Sequence, residues 1–413
     1  MTATSAGLRN YAIVTASYWG FTLTDGALRM LVLFTFFKLG YSPFTLAFLF
    51  LLYEAAGIVA NMVGGWLVSK FGIRRMLVVG LCTQISGFLI LSAIDPGWTS
   101  AFLVTWVVLA QGICGVAKDL TKTASKSAIK MTEAQAKGEG EGRLFKWVSW
   151  FTGSKNAMKG FGFFLGGVLL QAFGFSASLW LMAGLLALIL MGVVLSLPEL
   201  KGKSKPSRNA HELFGKSRGV NLLALARIGL FGARDVWFVV GVPVFLYANG
   251  WTFPMVGAFL AFWTIGYGLV QAAAPAVVQR SVDGLSREVP AARLWALMLL
   301  VVPLGLIGVL ALETSFPDLI LVAGLCLFGI IFAVNSSVHS YLILAYAGSE
   351  KAAEDVGFYY AANATGRFLG TLLSGLLYQI GGLSACLGGS ALLLLTCLIA
   401  TQALPRVARP AGG

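Results

Sequence analysis

Apolar segments long enough to cross a lipid bilayer follow one another along almost the whole of this 413-residue chain. A membrane-spanning helix needs about 20 mostly apolar residues. Twelve segments meet that requirement: residues 11–38, 44–69, 76–94, 99–122, 144–173, 177–198, 220–247, 253–280, 292–312, 318–346, 355–380 and 384–404. Only 11% of the residues are charged, whereas soluble domains carry about a quarter. The sequence therefore predicts an all-α membrane protein with twelve transmembrane helices.

The two halves of the chain repeat each other. Asp25 in "TDGALR" and Asp235 in "GARDVW" lie 210 residues apart. "KGFGFFLGGVLLQAFG" in span 5 matches "RFLGTLLSGLLYQIGG" in span 11 at an offset of 208, which pairs Lys159 with Arg367. Two six-helix repeats in parallel register resemble the major facilitator transporters, whose site lies near the middle of the membrane between the halves. We therefore expect the major facilitator fold, with two pseudo-symmetric six-helix bundles.

A polar and basic segment separates these halves. Residues 1–199 are predicted to form the N-terminal bundle, residues 200–219 a cytoplasmic linker, and residues 220–413 the C-terminal bundle. The links on one side of the membrane hold nearly all the loop cations: Lys70, Arg74, Arg75, Lys130, Lys137, Arg143, Lys201, Lys203, Lys205, Arg208, Lys216, Arg218, Arg280, Arg287, Arg293, Lys351, Arg406 and Arg409. The opposite links hold essentially Lys38 alone. Because cytoplasmic loops carry the excess of Lys and Arg, both termini are predicted to be cytoplasmic.

Several ionisable residues fall near the middle of their predicted spans: Asp25, Glu54, Lys159, Arg234, Asp235 and Arg367, with Arg29 one turn further out. A charge at the bilayer centre costs roughly 2.5–3.5 kcal/mol on insertion scales, so each should face a partner or a cavity. Asp25 and Arg29, at i and i+4, can form a salt bridge or contact the substrate. Adjacent Arg234 and Asp235 point about 100° apart and are predicted to serve different faces.

The basic residues of this set outnumber the available carboxylates. Lys159, Arg367 and Arg234 exceed what Glu54 and Asp235 can neutralise. An uncompensated buried cation is costly, so the excess predicts a cavity that receives an anion, with Arg29 as a further contact. Arginine suits phosphate or carboxylate because its planar fork donates two hydrogen bonds. The alternative is a purely structural ion-pair network.

A lysine ladder leads out of span 4. Four lysines occupy every fourth position: Lys118, Lys122, Lys126 and Lys130. They cover ~18 Å of one broad helix face, and span 5 returns with Lys155 and Lys159. These lysines predict a basic track along the two helices. Four of them are predicted to contact the substrate: Lys118, Lys122, Lys155 and Lys159. The outer two lysines of the ladder are interpreted as topology signals or contacts to anionic lipid.

The acidic residues are candidates for coupling or gating. Glu54 can take up and release a proton during a transport cycle, or can neutralise Arg29 or Lys159. Asp25 and Asp235 belong to the same group. Five cysteines without CxxC spacing and two distant histidines give no metal, cofactor or catalytic constellation. The net charge of +13 is attributed to contacts with anionic lipid, to topology signals or to an anionic solute. Nucleic-acid binding is a weaker explanation because the chain is so apolar.

Long strings of the chain resemble the ArsJ organoarsenical efflux permeases. They are "YWGFTLTDGALRMLVL" (18–33), "LAFLFLLYEAAG" (46–57), "AKDLTKTASKSAIK" (117–130), "LFKWVSWFTGSKNAMKGFGFFLGG" (144–167), "FGARDVWFVVGVPVF" (231–245) and "GYGLVQAAAP" (266–275). The resemblance implies export of 1-arseno-3-phosphoglycerate across a bacterial inner membrane, which gives arsenate resistance. It also implies a functional partner, the glyceraldehyde-3-phosphate dehydrogenase that makes this ester, while a monomer is the usual state of the architecture.

The same basic cavity suits other anions. A major facilitator transporter for sugar phosphates, inorganic phosphate or another organic anion is the alternative. A proton-coupled drug exporter would favour an apolar, acidic cavity, and an integral-membrane enzyme would need a nucleophile or metal cluster.

Overall fold

The computed structural model describes residues 3–135, 141–199, 216–278, 281, 283–312, 316–347 and 352–405. Its helices are α1 (Ala3–Lys38), α2 (Pro43–Phe48), α3 (Leu51–Phe71), α4 (Ile73–Ser92), α5 (Ser100–Gln135), α6 (Glu141–Ser196), α7 (Arg218–Phe238), α8 (Gly241–Ala248), α9 (Phe253–Val277), α10 (Glu288–Leu310), α11 (Pro317–Tyr346) and α12 (Ala352–Gln402).

The predicted number of spans is confirmed in this part of the chain. Ten helical segments are long and apolar enough to cross a membrane. Two of them, in α6 and α12, are each interrupted by glycine with non-helical dihedral angles, at Gly174 and at Gly381 and Gly382. Each of these two segments therefore contains two spans, and the total is twelve.

Span 7 is not the single helix that its hydropathy predicts. The helix ends at Phe238 and resumes at Gly241 as α8. The buried hydroxyl of Ser374 accepts hydrogen bonds from the backbone N–H groups of Val240 and Gly241, both at 3.1 Å. Because lipid offers no hydrogen-bond partner, such a break requires an acceptor inside the protein. Span 2 is likewise divided, into α2 and α3.

The chain folds into two compact units. The N-terminal unit comprises Met1–Lys38, Ala55–Ser207 and Thr252–Thr264. The C-terminal unit comprises Leu39–Glu54, Arg208–Trp251 and Ile265–Gly413. Of the predicted linker, residues 200–215 lie outside the described residues, and the predicted domain boundaries stay a prediction.

Most cations used to predict the orientation also lack a described side chain: Lys130, Lys137, Arg143, Lys201, Lys203, Lys205, Arg208, Arg280, Lys351, Arg406 and Arg409. The cytoplasmic position of both termini therefore stays a prediction.

Equivalent glycines bring two helices together within each unit. In the N-terminal unit, a Cβ on Gly162 of α6 would overlap the carbonyl oxygen of Leu23 in α1. In the C-terminal unit, a Cβ on Gly370 of α12 would lie 2.6 Å from the carbonyl oxygen of Gly232 in α7. Small residues allow such close backbone approach between membrane helices. The offset of 208 that relates the two glycines is the one found in the sequence repeat.

Each unit also uses one arginine to bond the end of a distant helix. Arg74 in α4 donates from Nη2 to the carbonyl of Val194 near the end of α6, at 2.7 Å. Arg293 in α10 donates from Nη2 to the carbonyl of Gln402 at the end of α12, at 2.9 Å. The last carbonyls of a helix have no intrahelical partner, so both arginines satisfy acceptors left open by helix termination.

Replacing Gly370 by alanine is expected to destabilise the protein by roughly 1–3 kcal/mol, because overpacking a close contact forces backbone shifts. The added methyl group meets the Gly232 carbonyl and, at 2.8 Å, Cβ of Asp235. The control is Gly184→Ala, where a Cβ has no neighbour within 4 Å. Thermal unfolding of the purified proteins in detergent measures both. Equal melting temperatures for Gly370→Ala and the unmodified protein would contradict the packing argument.

Candidate functional site

Arg367 joins two buried carboxylates inside the C-terminal unit. Its Nη2 donates to Oε1 of Glu54 at 2.7 Å, and its Nε donates to Oδ2 of Asp235 at 3.4 Å. The acids come from α3 and α7, and each is only 1% exposed. Within this unit, the mid-membrane carboxylate of Glu54 is thus bonded to Arg367, while its predicted pairing with Arg29 or Lys159 stays a prediction.

Arg234 completes this network. It donates from Nε to Oδ1 of Asp235 at 2.6 Å. Adjacent helix positions are predicted to serve different faces, yet these two side chains are bonded to each other, because a long arginine side chain can reach across the angle between neighbouring positions. Its guanidinium also lies 4.9 Å from the ring centre of Phe231, a distance at which the ring face attracts a cation. Two arginines therefore meet two carboxylates in this cluster, and the surplus of positive charge predicted from Lys159, Arg234 and Arg367 together stays a prediction.

A third arginine, which the sequence analysis missed, lies buried in the same unit. Arg227 in α7 is 4% exposed. Its Nε donates to Oδ1 of Asn363 at 3.1 Å, and its Nη1 donates to the carbonyl and hydroxyl oxygens of Ser336, both at 3.1 Å. The guanidinium lies 4.1 Å from the ring centre of Phe231 and 4.9 Å from that of Tyr359. Within the described part of the chain, no carboxylate oxygen lies within 4.0 Å of it.

Neither depth nor charge pairing marks Arg227 in the sequence. The residue is the eighth of predicted span 220–247, where a long cationic side chain commonly reaches the membrane interface. Its partners are serine and asparagine, which carry no charge and so give no pairing pattern.

The first two lysines of the ladder form ion pairs with one buried carboxylate in the N-terminal unit. Lys122 lies 3.3 Å from Oδ1 of Asp119 and donates to Oδ1 of Asn61 at 3.2 Å. Lys118 lies 3.8 Å from Oδ2 of the same carboxylate, whose side chain is 2% exposed. Two lysines therefore share one acid. The helix that carries them continues to Gln135, beyond the predicted span of residues 99–122, as the lysine spacing predicts. The side chains of Lys126 and Lys130 lie outside the described ones.

The remaining candidates of this unit are on α1 and α6. Asp25 and Arg29 are buried in α1, 8% and 6% exposed, and their mutual salt bridge stays a prediction. Lys155 and Lys159 are half-buried in α6, with Nζ of Lys159 lying 5.7 Å from the ring centre of Phe163. The candidate cations of this unit are Arg29, Lys118, Lys122, Lys155 and Lys159, and the carboxylates of Asp25 and Asp119 lie in the same unit.

Comparison with known proteins supports the architecture. No protein-family model matches the chain, and no curated protein sequence matches it. The crystal structure of a single-substitution mutant of the nucleoside transporter NupG is similar, with a TM-score of 0.71 over 97% of this chain and 98% of that chain. The sequence identity is 15%, so the likeness concerns the fold. The chain therefore has the major facilitator fold that its repeats predict.

A double-mutant cycle tests the ion pair between Glu54 and Arg367. Glu54→Gln and Arg367→Gln are each expected to destabilise the protein by about 3 kcal/mol or more, because each leaves a buried charge without its partner. The double variant should lose less than the sum of the two, since the charges act together. Thermal unfolding in detergent provides the measurement.

The control cycle uses Arg75→Gln and Glu199→Gln. This pair is 3.9 Å apart, and the arginine side chain is 73% exposed, so its coupling should be below about 1 kcal/mol. Additive losses at Glu54 and Arg367 would contradict the assigned network.

Proposed function

We propose that this protein is a membrane transporter that exports an anionic solute from the cytoplasm by alternating access, and that the solute is the organoarsenical anion 1-arseno-3-phosphoglycerate. The observation that carries the proposal is the buried guanidinium of Arg227, which is 4% exposed. Among the described residues, no carboxylate oxygen lies within 4.0 Å of it. Uncompensated charge in the membrane is costly, and a bound anion would provide the missing compensation.

The choice of arsenical cargo rests on the resemblance of long strings to the organoarsenical efflux permeases. Glyceraldehyde-3-phosphate dehydrogenase makes the cargo when arsenate substitutes for phosphate. The ester carries an arsenate group and a phosphate, so it brings several negative charges to a protein with several buried cations. Outside the cell it falls apart and releases arsenate. The proposed location is a bacterial inner membrane, with both termini cytoplasmic and the protein a monomer.

In this proposal the charged residues have two roles. Lys118, Lys122, Lys155 and Lys159 attract and contact the anion as point charges, with Arg29 as a further contact. Arg234 and Arg367 are already bonded to carboxylates, so an anion that binds them must displace Asp235 or Glu54. A carboxylate displaced from its arginine loses the partner that balances its charge. Glu54, with Asp25 and Asp235, is therefore proposed to couple or gate the transport cycle.

Arsenate survival of a host bacterium without its own arsenate resistance tests the cargo. The host carries this protein with and without a co-expressed glyceraldehyde-3-phosphate dehydrogenase. Resistance is expected only when both proteins are present, because the dehydrogenase supplies the transported ester. If the host stays sensitive to arsenate both with and without the dehydrogenase, despite verified membrane expression, the arsenical cargo is contradicted. That result would favour a transporter of sugar phosphate, phosphate or another organic anion.

Lys159→Ala and Arg367→Ala are each expected to slow export about tenfold or more at low substrate concentration, because a charge-assisted hydrogen bond contributes about 1.5–3 kcal/mol. The rate is expressed per molecule of protein in the membrane, since Arg367→Ala also removes the partner of Glu54. Uptake of 3-phosphoglycerate into inverted vesicles provides the measurement. Lys38→Ala is the control, because Lys38 is exposed at the end of α1. Wild-type uptake in both variants would refute these two assignments.

A further inference from the structure

The buried arginine Arg227 keeps part of its hydrogen-bonding capacity unused. Asn363 and Ser336 accept hydrogen bonds from Nε and Nη1, while Nη2 meets no acceptor among the described residues. The rings of Phe231 and Tyr359 hold the plane of the guanidinium. An arginine fixed in this way loses little side-chain freedom when a further acceptor arrives, which favours binding.

Two neighbouring polar side chains on α11 are buried without partners. Asn335 and His339 are each 0% exposed. Both amide atoms of Asn335 and both ring nitrogens of His339 lack a hydrogen-bond partner in the described part of the structure. The two residues lie four apart on one helix face. Ser336, which accepts from Arg227, lies three residues before His339 and so on the same side of the helix. Buried polar atoms are nearly always paired, so these four atoms are candidates to bind a ligand.

The sequence repeat relates one residue of this cluster to a candidate residue of the other unit. Asn363 follows Lys155 by 208 residues, the offset that relates Lys159 to Arg367. The N-terminal unit therefore has a lysine where the C-terminal unit has an amide. The amide is bonded to Arg227 from the neighbouring helix, so positive charge is retained at this position of the repeat although a different residue carries it.

We propose that Arg227, Asn335 and His339 form an oxyanion-binding subsite in the C-terminal unit. Its ligand is a phosphate, arsenate or carboxylate group. Arginine provides N–H donors in a fork that matches such oxygens, and the amide of Asn335 and one ring N–H of His339 provide uncharged donors. The role of this subsite in transport rests on the proposed function, whereas its binding of an oxyanion does not.

The competing explanation is that Arg227 only fastens α7 to α11 and α12. In that case its replacement would lower stability without a specific effect on anion binding. The unpartnered atoms of Asn335 and His339 would then have no function, and apolar replacements of these residues would change stability alone.

The test is anion binding by the purified full-length protein in nanodiscs, with 3-phosphoglycerate and inorganic phosphate as probes. Isothermal titration should show Arg227→Gln binding the probes about tenfold more weakly or worse, because a charge-assisted contact is lost. Arg218→Gln is the matched control, since Arg218 is an exposed arginine at the start of the same helix. It should bind like the unmodified protein.

If Arg227→Gln folds poorly, Asn335→Leu and His339→Leu provide a second test of the subsite. Each replaces buried polar atoms that lack partners by an apolar side chain. Without ligand, both variants should melt at or above the wild-type temperature, because an unsatisfied buried group has been removed. With 3-phosphoglycerate, the melting temperature should rise less than in the unmodified protein. A structural role alone would leave the ligand-induced rise unchanged.

Three results would overturn the subsite: wild-type affinity in a folded Arg227→Gln protein, an unchanged ligand-induced rise in both leucine variants, or no binding of either probe by the unmodified protein. Failure of the arsenate survival test is a separate outcome. If arsenate resistance fails but binding of the probes depends on Arg227, the arsenical cargo is wrong and the subsite stands.

Discussion

The membrane interior cannot solvate charge, so each charged side chain within the spans must find compensation inside the protein. Arg367 meets this constraint for the C-terminal unit, because its guanidinium bonds Glu54 from α3 and Asp235 from α7. Asp235 in turn binds Arg234. One connected network therefore joins α3, α7 and α12. The close glycine contact between Gly370 and Gly232 brings α12 near enough to α7 for this network to form.

The two repeats keep the same packing and differ in their charges. In both units a glycine lies where the first and fifth spans cross. In both, an arginine from another helix donates to a carbonyl near the end of the sixth span. In the N-terminal unit, however, Lys118 and Lys122 share one acid, whereas in the C-terminal unit arginines bind carboxylates or neutral groups. The packing contacts recur in both units, whereas the charges differ, so the shared packing does not determine where the charges lie.

The number and placement of the spans could be predicted because a hydrocarbon layer sets a direct requirement on segment length and polarity. The break after Phe238 could not, since the acceptor that makes it tolerable is Ser374, 134 residues away in sequence. The helical angle between adjacent residues was a poor guide to Arg234 and Asp235, because a flexible side chain can cancel a difference of backbone direction. Arg227 was missed for a related reason: its partners are neutral, so no pattern of opposite charges marked it.

The difference between Arg227 and Arg367 has a consequence for an anion inside the C-terminal unit. At Arg367 the anion must compete with two carboxylates that are already bonded and nearly fully buried, and their negative charge repels it. At Arg227 it meets a guanidinium held by neutral acceptors and aromatic rings. Electrostatics therefore favours the proposed subsite at Arg227 over Arg367 for an anion in this unit. In the proposed transport cycle, Arg367 becomes available when Glu54 or Asp235 is neutralised or moves away, and that condition would link the ion-pair network to the movement of the solute.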